Sequence, residues 1–440
     1  ALEAAQRAME ADPMHFLGGR EKLLAMRALS SSDTAAWDQV WRGVMRAEPQ
    51  NFLELATAYG AAGLWPDADA VLALSPAHPM VSYLRGYYRE LSGDKTAAAR
   101  FYQEAARGPA DYVNPHRLEE LDALQAALRA NPRDARAHLF LGNLLYSKQR
   151  REEGYDHWRQ AASLDPQLTL ALRNVAWAER YLKKDLRASY DTYRKALDLN
   201  PADPRALLET DQVAESLKVP RAERFALFNR HLDTVRQRDD LTARLIDFQL
   251  KSSNPEDLKK AQDTLRTRHF HSWEGRYGIH DSWVDANQRL GDLALARKDY
   301  KSALDYFKLA CDYPKNLEVA QRTPDLRAHV FWNLAKTHLA MGDKAAAQDY
   351  LKKILSEKYR RAHLGTFYQA LARKALGDEA GYKKDLAALE QRSRDAGSSP
   401  IGQHLLALVQ QERGQKVTLD SEAGRAALRE AQIDFARAHQ

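Results

Sequence analysis

Along most of the chain apolar positions recur every three to four residues, with polar positions between them. That spacing lays the apolar residues along one stripe of an α-helix. Alternating runs of β-branched residues, the mark of strands, are absent. The stripes are punctuated at regular intervals. Asp12-Pro13, Asn131-Pro132, Asp165-Pro166 and Asn200-Pro201 are turn-forming dipeptides, and Glu48-Pro49 is similar. The last three Asp/Asn-Pro pairs lie 34 and 35 residues apart. A second marker gives the same period, because Gly342-Asp343 and Gly377-Asp378 are 35 residues apart, and Gly93-Asp94 is of the same kind. A period in this range predicts stacked helix pairs, each too small to bury its own apolar face. The pattern therefore predicts an all-α chain of roughly ten to twelve such pairs.

The clearest unit spans 135–168. Leu141-Gly142 falls on its first helix, Gly154, Trp158 and Ala161 on its second, and Pro166 closes it. Small residues at Gly142, Gly154 and Ala161 allow two helices to approach closely, and the bulky Trp158 is expected to fill the space between one pair and the next. Pro166 lacks an amide hydrogen and cannot continue a helix. This unit resembles the tetratricopeptide repeat, a helix–turn–helix of about 34 residues. Other stretches repeat the pattern: Tyr193 and Ala196 before Pro201; Leu290-Gly291, Tyr300, Ala303, Phe307 and Ala310; Leu334-Ala335, Gly342, Ala347 and Leu351; and Ala98, Tyr102 and Ala105 after Gly93. The resemblance implies a superhelical solenoid of helix–turn–helix units. Ala1, Ala5 and Ala8 before Pro13 look like a second helix without its first. With no Met at position 1, the chain is expected to be a piece of a longer one that begins inside a repeat.

The periodicity breaks between residues 251 and 282. A helix is expected from Pro255 to Thr267. It leads into His269-Phe270-His271-Ser272-Trp273-Glu274-Gly275, then Tyr277-Gly278. A second insertion of about ten residues follows the Gly291 unit and carries Tyr313-Pro314-Lys315-Asn316. The expected division is a first solenoid over 1–250, an irregular insertion over 251–282, and a second solenoid over 283–440. Ser393 to Pro400 reads as a polar loop, and a helix from Ser421 to His439 reads as the end cap.

Composition narrows the chemistry. Lys and Arg number 66 against 60 Asp and Glu, for a formal charge of +6. The basic pairs, such as Lys183-Lys184 and Arg360-Arg361, are spread out and interleaved with acids. They read as solvated helix surface, so nucleic acid is not expected as a partner. The single cysteine, Cys311, excludes a disulfide within the chain and a cysteine-based zinc or iron–sulfur site. No apolar run approaches the roughly 18 residues of a membrane helix. Phe16-Leu17-Gly18-Gly19-Arg20 is not followed by Gly-Lys-Ser/Thr and is not a phosphate loop, and no Gly-x-Ser-x-Gly occurs. The compartment stays open between cytoplasm, which is preferred, and periplasm.

Two groups of residues are candidates for binding. In the interruption, His269, His271, Trp273 and Glu274 combine two ligating side chains, an aromatic face of the kind that stacks on sugars, and a carboxyl. They have three readings. Phe270 and Trp273 are buried under the solenoid as a plug; or the loop contacts a glycan or partner; or it ligates a metal. The plug carries the most weight and the metal the least, so no metal, cofactor or catalytic residue is assigned. The second group follows from repeat register, which turns Asn143, Tyr146, Arg173, Trp177, Arg180, Gln288 and Asp292 toward the groove formed by the first helices. Asn and Arg there could hold a peptide backbone or carboxylate. The strict carboxylate-clamp pattern is not reproduced.

The HFHSWEG segment, the repeat after it and the YPKN loop resemble the C-terminal half of large bacterial proteins. These join a β-rich, sugar-enzyme-like N-terminal domain to tetratricopeptide repeats. This chain has Ser272 where a Pro often precedes the Trp. The sequence thus implies a non-enzymatic scaffold for a protein or peptide partner, or for a missing domain of the same protein. The alternative is the helical half of a carbohydrate-active enzyme whose β-rich domain lies outside this chain.

Overall fold

The computed structural model describes residues 1–271, 278–321, 327–359 and 361–436. Among these the secondary structure is helical, twenty-five α-helices and one 3-10 turn, without a strand. The chain divides into two compact units, Ala1–Thr234 and Val235–Gln440. The first holds α1 (Leu2–Ala11), α2 (Phe16–Ala28), α3 (Thr34–Met45), α4 (Pro49–Ala61), α5 (Trp65–Leu72), α6 (Pro79–Leu91), α7 (Lys95–Ala106), α8 (Leu118–Ala130), α9 (Ala135–Ser147), α10 (Arg151–Leu164), α11 (Thr169–Tyr181), α12 (Leu186–Leu199), α13 (Pro204–Ser216) and α14 (Arg221–Arg230). The short α15 (Leu232–Val235) lies at the division. The second holds α16 (Asp239–Leu250), α17 (Pro255–Thr267), α18 (Ile279–Ala296), α19 (Tyr300–Leu309), α20 (Ala328–Ala340), α21 (Lys344–Ser356), α22 (Leu364–Ala375), α23 (Glu379–Asp395), α24 (Pro400–Glu412) and α25 (Ser421–Ala436). Because the division falls between 234 and 235, α16 packs in the second unit, against α17 and α18.

Three of the hairpins are closed by one recurring contact. Gly86, Gly142 and Gly291 sit on the first helices of α6/α7, α9/α10 and α18/α19. Sixteen residues after each comes an aromatic, Tyr102, Trp158 or Phe307, on the second helix. The ring lies where a side chain on the glycine would have to be. A Cβ at Gly86 or Gly142 would stand 2.5 Å from the ring of Tyr102 or Trp158, and one at Gly291 would strike Phe307. Gly154 is tight for the same reason, since a Cβ there would lie 2.8 Å from the Gly142 carbonyl. Trp158 therefore packs into its own hairpin. It stacks on Tyr146 of α9 with centroids 4.6 Å apart, and its Nε1 donates to Asn143 Oδ1 at 2.9 Å. Burying an aromatic of this size contributes roughly 1.5–3 kcal/mol.

The turns between paired helices are just as regular. Gly93, Gly342 and Gly377 end their first helices at φ 84°, 82° and 83°. In this left-handed region an L side chain crowds the backbone. The next residue is an aspartate that caps the second helix. Asp94, Asp343 and Asp378 accept from the amides of Ala97, Ala346 and Gly381 at 3.0, 3.1 and 2.9 Å. Lys184 and Lys298 occupy the same turn at φ 59° and 61°, each followed by a capping aspartate, Asp185 or Asp299. Prolines of a different kind, Pro49, Pro79, Pro204, Pro255 and Pro400, open helices at the first turn, where a missing amide costs nothing.

The interruption is mostly helical. The expected helix from Pro255 to Thr267 is present as α17, so among the described residues of this stretch the irregular backbone lies on either side of α17 and in the segment after α19. Ser393 lies inside α23 and not in a loop; its hydroxyl donates to the Gly402 carbonyl at 2.8 Å. The end cap is helical from Ser421 to Ala436, and residues 437–440 lie outside the described part.

Two measurements test this architecture. Gly142→Leu should lose at least about 3 kcal/mol, the upper end of ordinary overpacking, because backbone as well as Trp158 bars the new side chain. A denaturant midpoint equal to the parent's would disprove the packing at this hairpin. Lys298→Gly should gain roughly 0.5–1 kcal/mol by relieving the left-handed turn, and Gly342→Lys should lose about as much. Equal signs for the two exchanges would contradict the account of the turn.

Candidate functional site

In the second unit the two loops meet. Asn316, from the YPKN segment, is the centre of the junction. Its Nδ2 donates to the Leu265 and Arg268 carbonyls at 2.8 and 2.7 Å, and its own carbonyl accepts from the Phe270 amide at 2.8 Å. One of the last carbonyls of α17, that of Leu265, and the carbonyl of its C-cap Arg268 are thereby satisfied. The chain leaves α17 extended at Arg268, and its side chains alternate in direction. Phe270 is completely buried in the core of α17, α18 and α19, while the His269 and His271 side chains are 57% and 78% exposed. The plug expected of this segment is thus Phe270. Trp273 and Glu274 lie outside the described residues.

The two histidines have acidic neighbours. His269 Nε2 lies 3.0 Å from Glu318 Oε1. Asp239, at the start of α16, accepts from the His271 amide at 2.8 Å and faces its Nδ1 at 3.1 Å, while Arg268 donates to its other oxygen at 2.7 Å. Burial of Asp239 works toward a higher carboxyl pKa, but these donors outweigh it and hold the group below the usual carboxylate range. His280 faces inward, its Nε2 3.0 Å from the Asp312 carbonyl and its ring stacked on Tyr313 at 3.8 Å. Among the described residues no three His, Cys, Asp or Glu side chains are arranged to hold a metal ion.

The seven groove positions fall on three first helices, α9 and α11 in the first unit and α18 in the second. On α9, Asn143 and Tyr146 are committed to Trp158, and Asn143 also accepts from Asn174 of α11 at 2.9 Å. Arg173 of α11 pairs with Asp203 at 3.5 Å and with Glu209 of α13 at 3.3 Å. These side chains link successive hairpins. Trp177 and Arg180 are different. Trp177 is 39% exposed and tilts over Tyr181, 42% exposed, with centroids 4.3 Å apart; the Arg180 guanidinium lies 5.0 Å from the Tyr181 ring. Two large exposed aromatics and a half-buried cation thus sit together on one helix.

In the second unit α18 and α20 share a polar seam. Gln288 accepts from Asn333 at 2.6 Å, and Asp292 lies 3.7 Å from the Lys336 ammonium. Burial raises the Asp292 carboxyl above its usual range against the pull of Lys336. Burial and the charge of Asp292 also push the Tyr368 phenol on α22 up to about 12. Asp292 further lines a cleft of about 320 Å³ with Ser252, Asn254, Arg289 and Leu293.

Sequence reasoning missed Tyr181, although it stands one helical turn after Trp177. It also missed Asn333 and Lys336, whose signal is the register of α20 against α18. Asp239 and Glu318 carry no local signal, because only tertiary packing brings them to the histidines.

Residues 328–359, the α20/α21 hairpin, match the sequence model of the tetratricopeptide repeat family. Among solved structures, TTC0263, a thermophilic TPR protein in Thermus thermophilus, is 16% identical over 46% of this chain and 100% of its own, at a TM-score of 0.27. The pilF protein of Pseudomonas aeruginosa is 13% identical over 78% of this chain and 97% of its own, at 0.22. YrrB, described as a TPR protein with an unusual peptide-binding site, is 16% identical over 47% and 97%, also at 0.22.

The junction yields a direct test. Asn316→Ala leaves two carbonyls without their donor and should cost roughly 1–3 kcal/mol. Asn316→Asp should cost at least as much, since a carboxylate cannot donate to either carbonyl. Thermal melts of both variants that overlay on the parent would show that Asn316 does not hold the two loops together.

Proposed function

We propose that this chain is a non-enzymatic scaffold that binds a protein or peptide partner across the exposed side chains of its first helices. The all-helical hairpin repeat and its match to the tetratricopeptide repeat support a protein-binding role. Repeats of this kind offer extended surfaces for partners and no enclosed catalytic pocket. The observation that carries the reading is the exposed pair Trp177 and Tyr181 with the half-buried Arg180 beside them. Large aromatics and arginine are the residues that concentrate binding energy at interfaces, and here they are not needed to close a hairpin. The polar seam of Gln288, Asn333, Asp292 and Lys336 supplies matching donors and acceptors for a peptide backbone in the second unit.

A second reading makes this chain the helical half of a carbohydrate-active protein whose β-rich domain lies elsewhere. The exposure of His269 and His271, the two histidines of the HFHSWEG segment, favours a contact to such a domain or to a glycan there.

One experiment separates the readings. Peptides are selected from a random display library on the full chain, and their affinities are compared on the parent, Trp177→Ala and His271→Ala. The scaffold reading expects Trp177→Ala to weaken binding at least about tenfold, with the melting temperature unchanged. Affinity undiminished in Trp177→Ala would remove the first-helix patch as the contact. Loss confined to His271→Ala would favour the second reading.

A further inference from the structure

The α12–α14 stretch of the first unit is built unlike the hairpins described above. Neither α13 nor α14 contains a glycine. The two are bridged by charge. Arg224 of α14 donates to both carboxylate oxygens of Asp211, at 2.7 and 2.9 Å, and reaches Glu215 at 3.1 Å. Asp211 is wholly buried, so Arg224 serves as its counter-ion.

Beside this bridge lies a cleft of about 300 Å³. Its walls include Tyr190 and Arg194 from α12, and Glu223, Leu227 and Arg230 from α14. Arg194 is held in place over the phenol ring. Its guanidinium lies 5.9 Å from the Tyr190 ring centroid and Nη1 donates to the phenol oxygen at 3.3 Å. Yet Nε of Arg194 is enclosed by protein and has no hydrogen-bond partner. A charged N–H shut away from water without an acceptor destabilises the free protein, and an oxygen delivered into the cleft would relieve it. Among the described residues neither Arg194 nor Arg230 lies within ion-pair distance of a carboxylate.

We infer that this cleft binds a carboxylate side chain of an acidic peptide segment. Among the lining charges, Arg224 is neutralised by Asp211, and the guanidiniums of Arg194 and Arg230, neither in an ion pair among the described residues, stand against one carboxylate, Glu223, so the net excess is one positive charge. That balance suits a singly charged carboxylate better than a doubly charged phosphate. The planar guanidinium fork matches a carboxylate in shape, and Leu227 and the Tyr190 ring provide an apolar wall for its methylene stem. The cleft lies between α12, the end of α13 and α14, away from α11, so it is a site in addition to the first-helix patch of Trp177, Arg180 and Tyr181 and does not depend on it.

Isothermal titration of the full chain with acetylated, amidated tetraglutamate tests this. The parent should bind one equivalent saturably. Arg194→Met keeps the apolar stem and should weaken binding at least about tenfold at an unchanged melting temperature. Arg194→Lys keeps the charge without the Nε–H, should weaken it as well, and decides the matter if Arg194→Met melts low. Tetraglutamine should not bind. No saturation by the parent at about 5 mM tetraglutamate would overturn the inference, as would parental affinity in both Arg194 variants. Tetraglutamine binding as well as tetraglutamate would also sink it, and orthophosphate binding more tightly than the peptide would overturn the carboxylate class.

Discussion

In three hairpins of this protein the first helix has no side chain beneath the ring of the second. The absence of a Cβ at Gly86, Gly142 and Gly291 sets the distance between paired helices, and the other features follow from that distance. With the ring of Trp158 seated on Gly142, its indole nitrogen reaches Asn143, and Asn143 in turn receives Asn174 from the next hairpin. One indole thus closes a pair and registers it against its neighbour. Between α13 and α14, neither of which has a glycine, a buried ion pair bridges the helices, and an open cleft lies beside it. A close-packed interior forbids such a gap, and a salt bridge of fixed length tolerates one.

The broken stretch shows that structural and contact roles need not compete. In an extended segment neighbouring side chains point to opposite sides. Phe270 enters the core while His269 and His271 face solvent on either side of it in sequence. A plug and an exposed pair therefore occupy the same three residues. The anchoring of Phe270 by Asn316 fixes where the histidines stand.

The fold was legible because its determinants are local and repeated. Gly-Asp turns, capping aspartates and the glycine-to-aromatic interval all sit within one repeat, so period and composition expose them. Trp158 was legible as a packing residue, but its seat on Gly142 within its own pair was not, since sequence spacing does not tell which way a ring turns. The candidate sites were less legible for a related reason. Repeat register places Asn143, Arg173 and Trp177 on the same kind of helix face, but it does not distinguish a side chain spent on a neighbour from one left to solvent. Arg173 finds Asp203 and Glu209, and Asn143 finds Trp158; Trp177 finds only Tyr181 on its own helix. Asp239, Glu318 and the α12–α14 cleft depend on contacts between segments far apart in sequence, which no period encodes.

The Asn316 junction has a consequence for how the second unit folds and opens. In a simple repeat array each hairpin touches only its neighbours, so ends fray independently and stability accumulates unit by unit. Here the bonds from Asn316 to Leu265, Arg268 and Phe270 span the whole α18/α19 hairpin. That hairpin lies inside a closed loop of chain, and neither of its ends can peel away while the junction holds. The region from α17 to α19 becomes one cooperative block within an otherwise modular stack, with the exposed histidines mounted at the point where that block is locked.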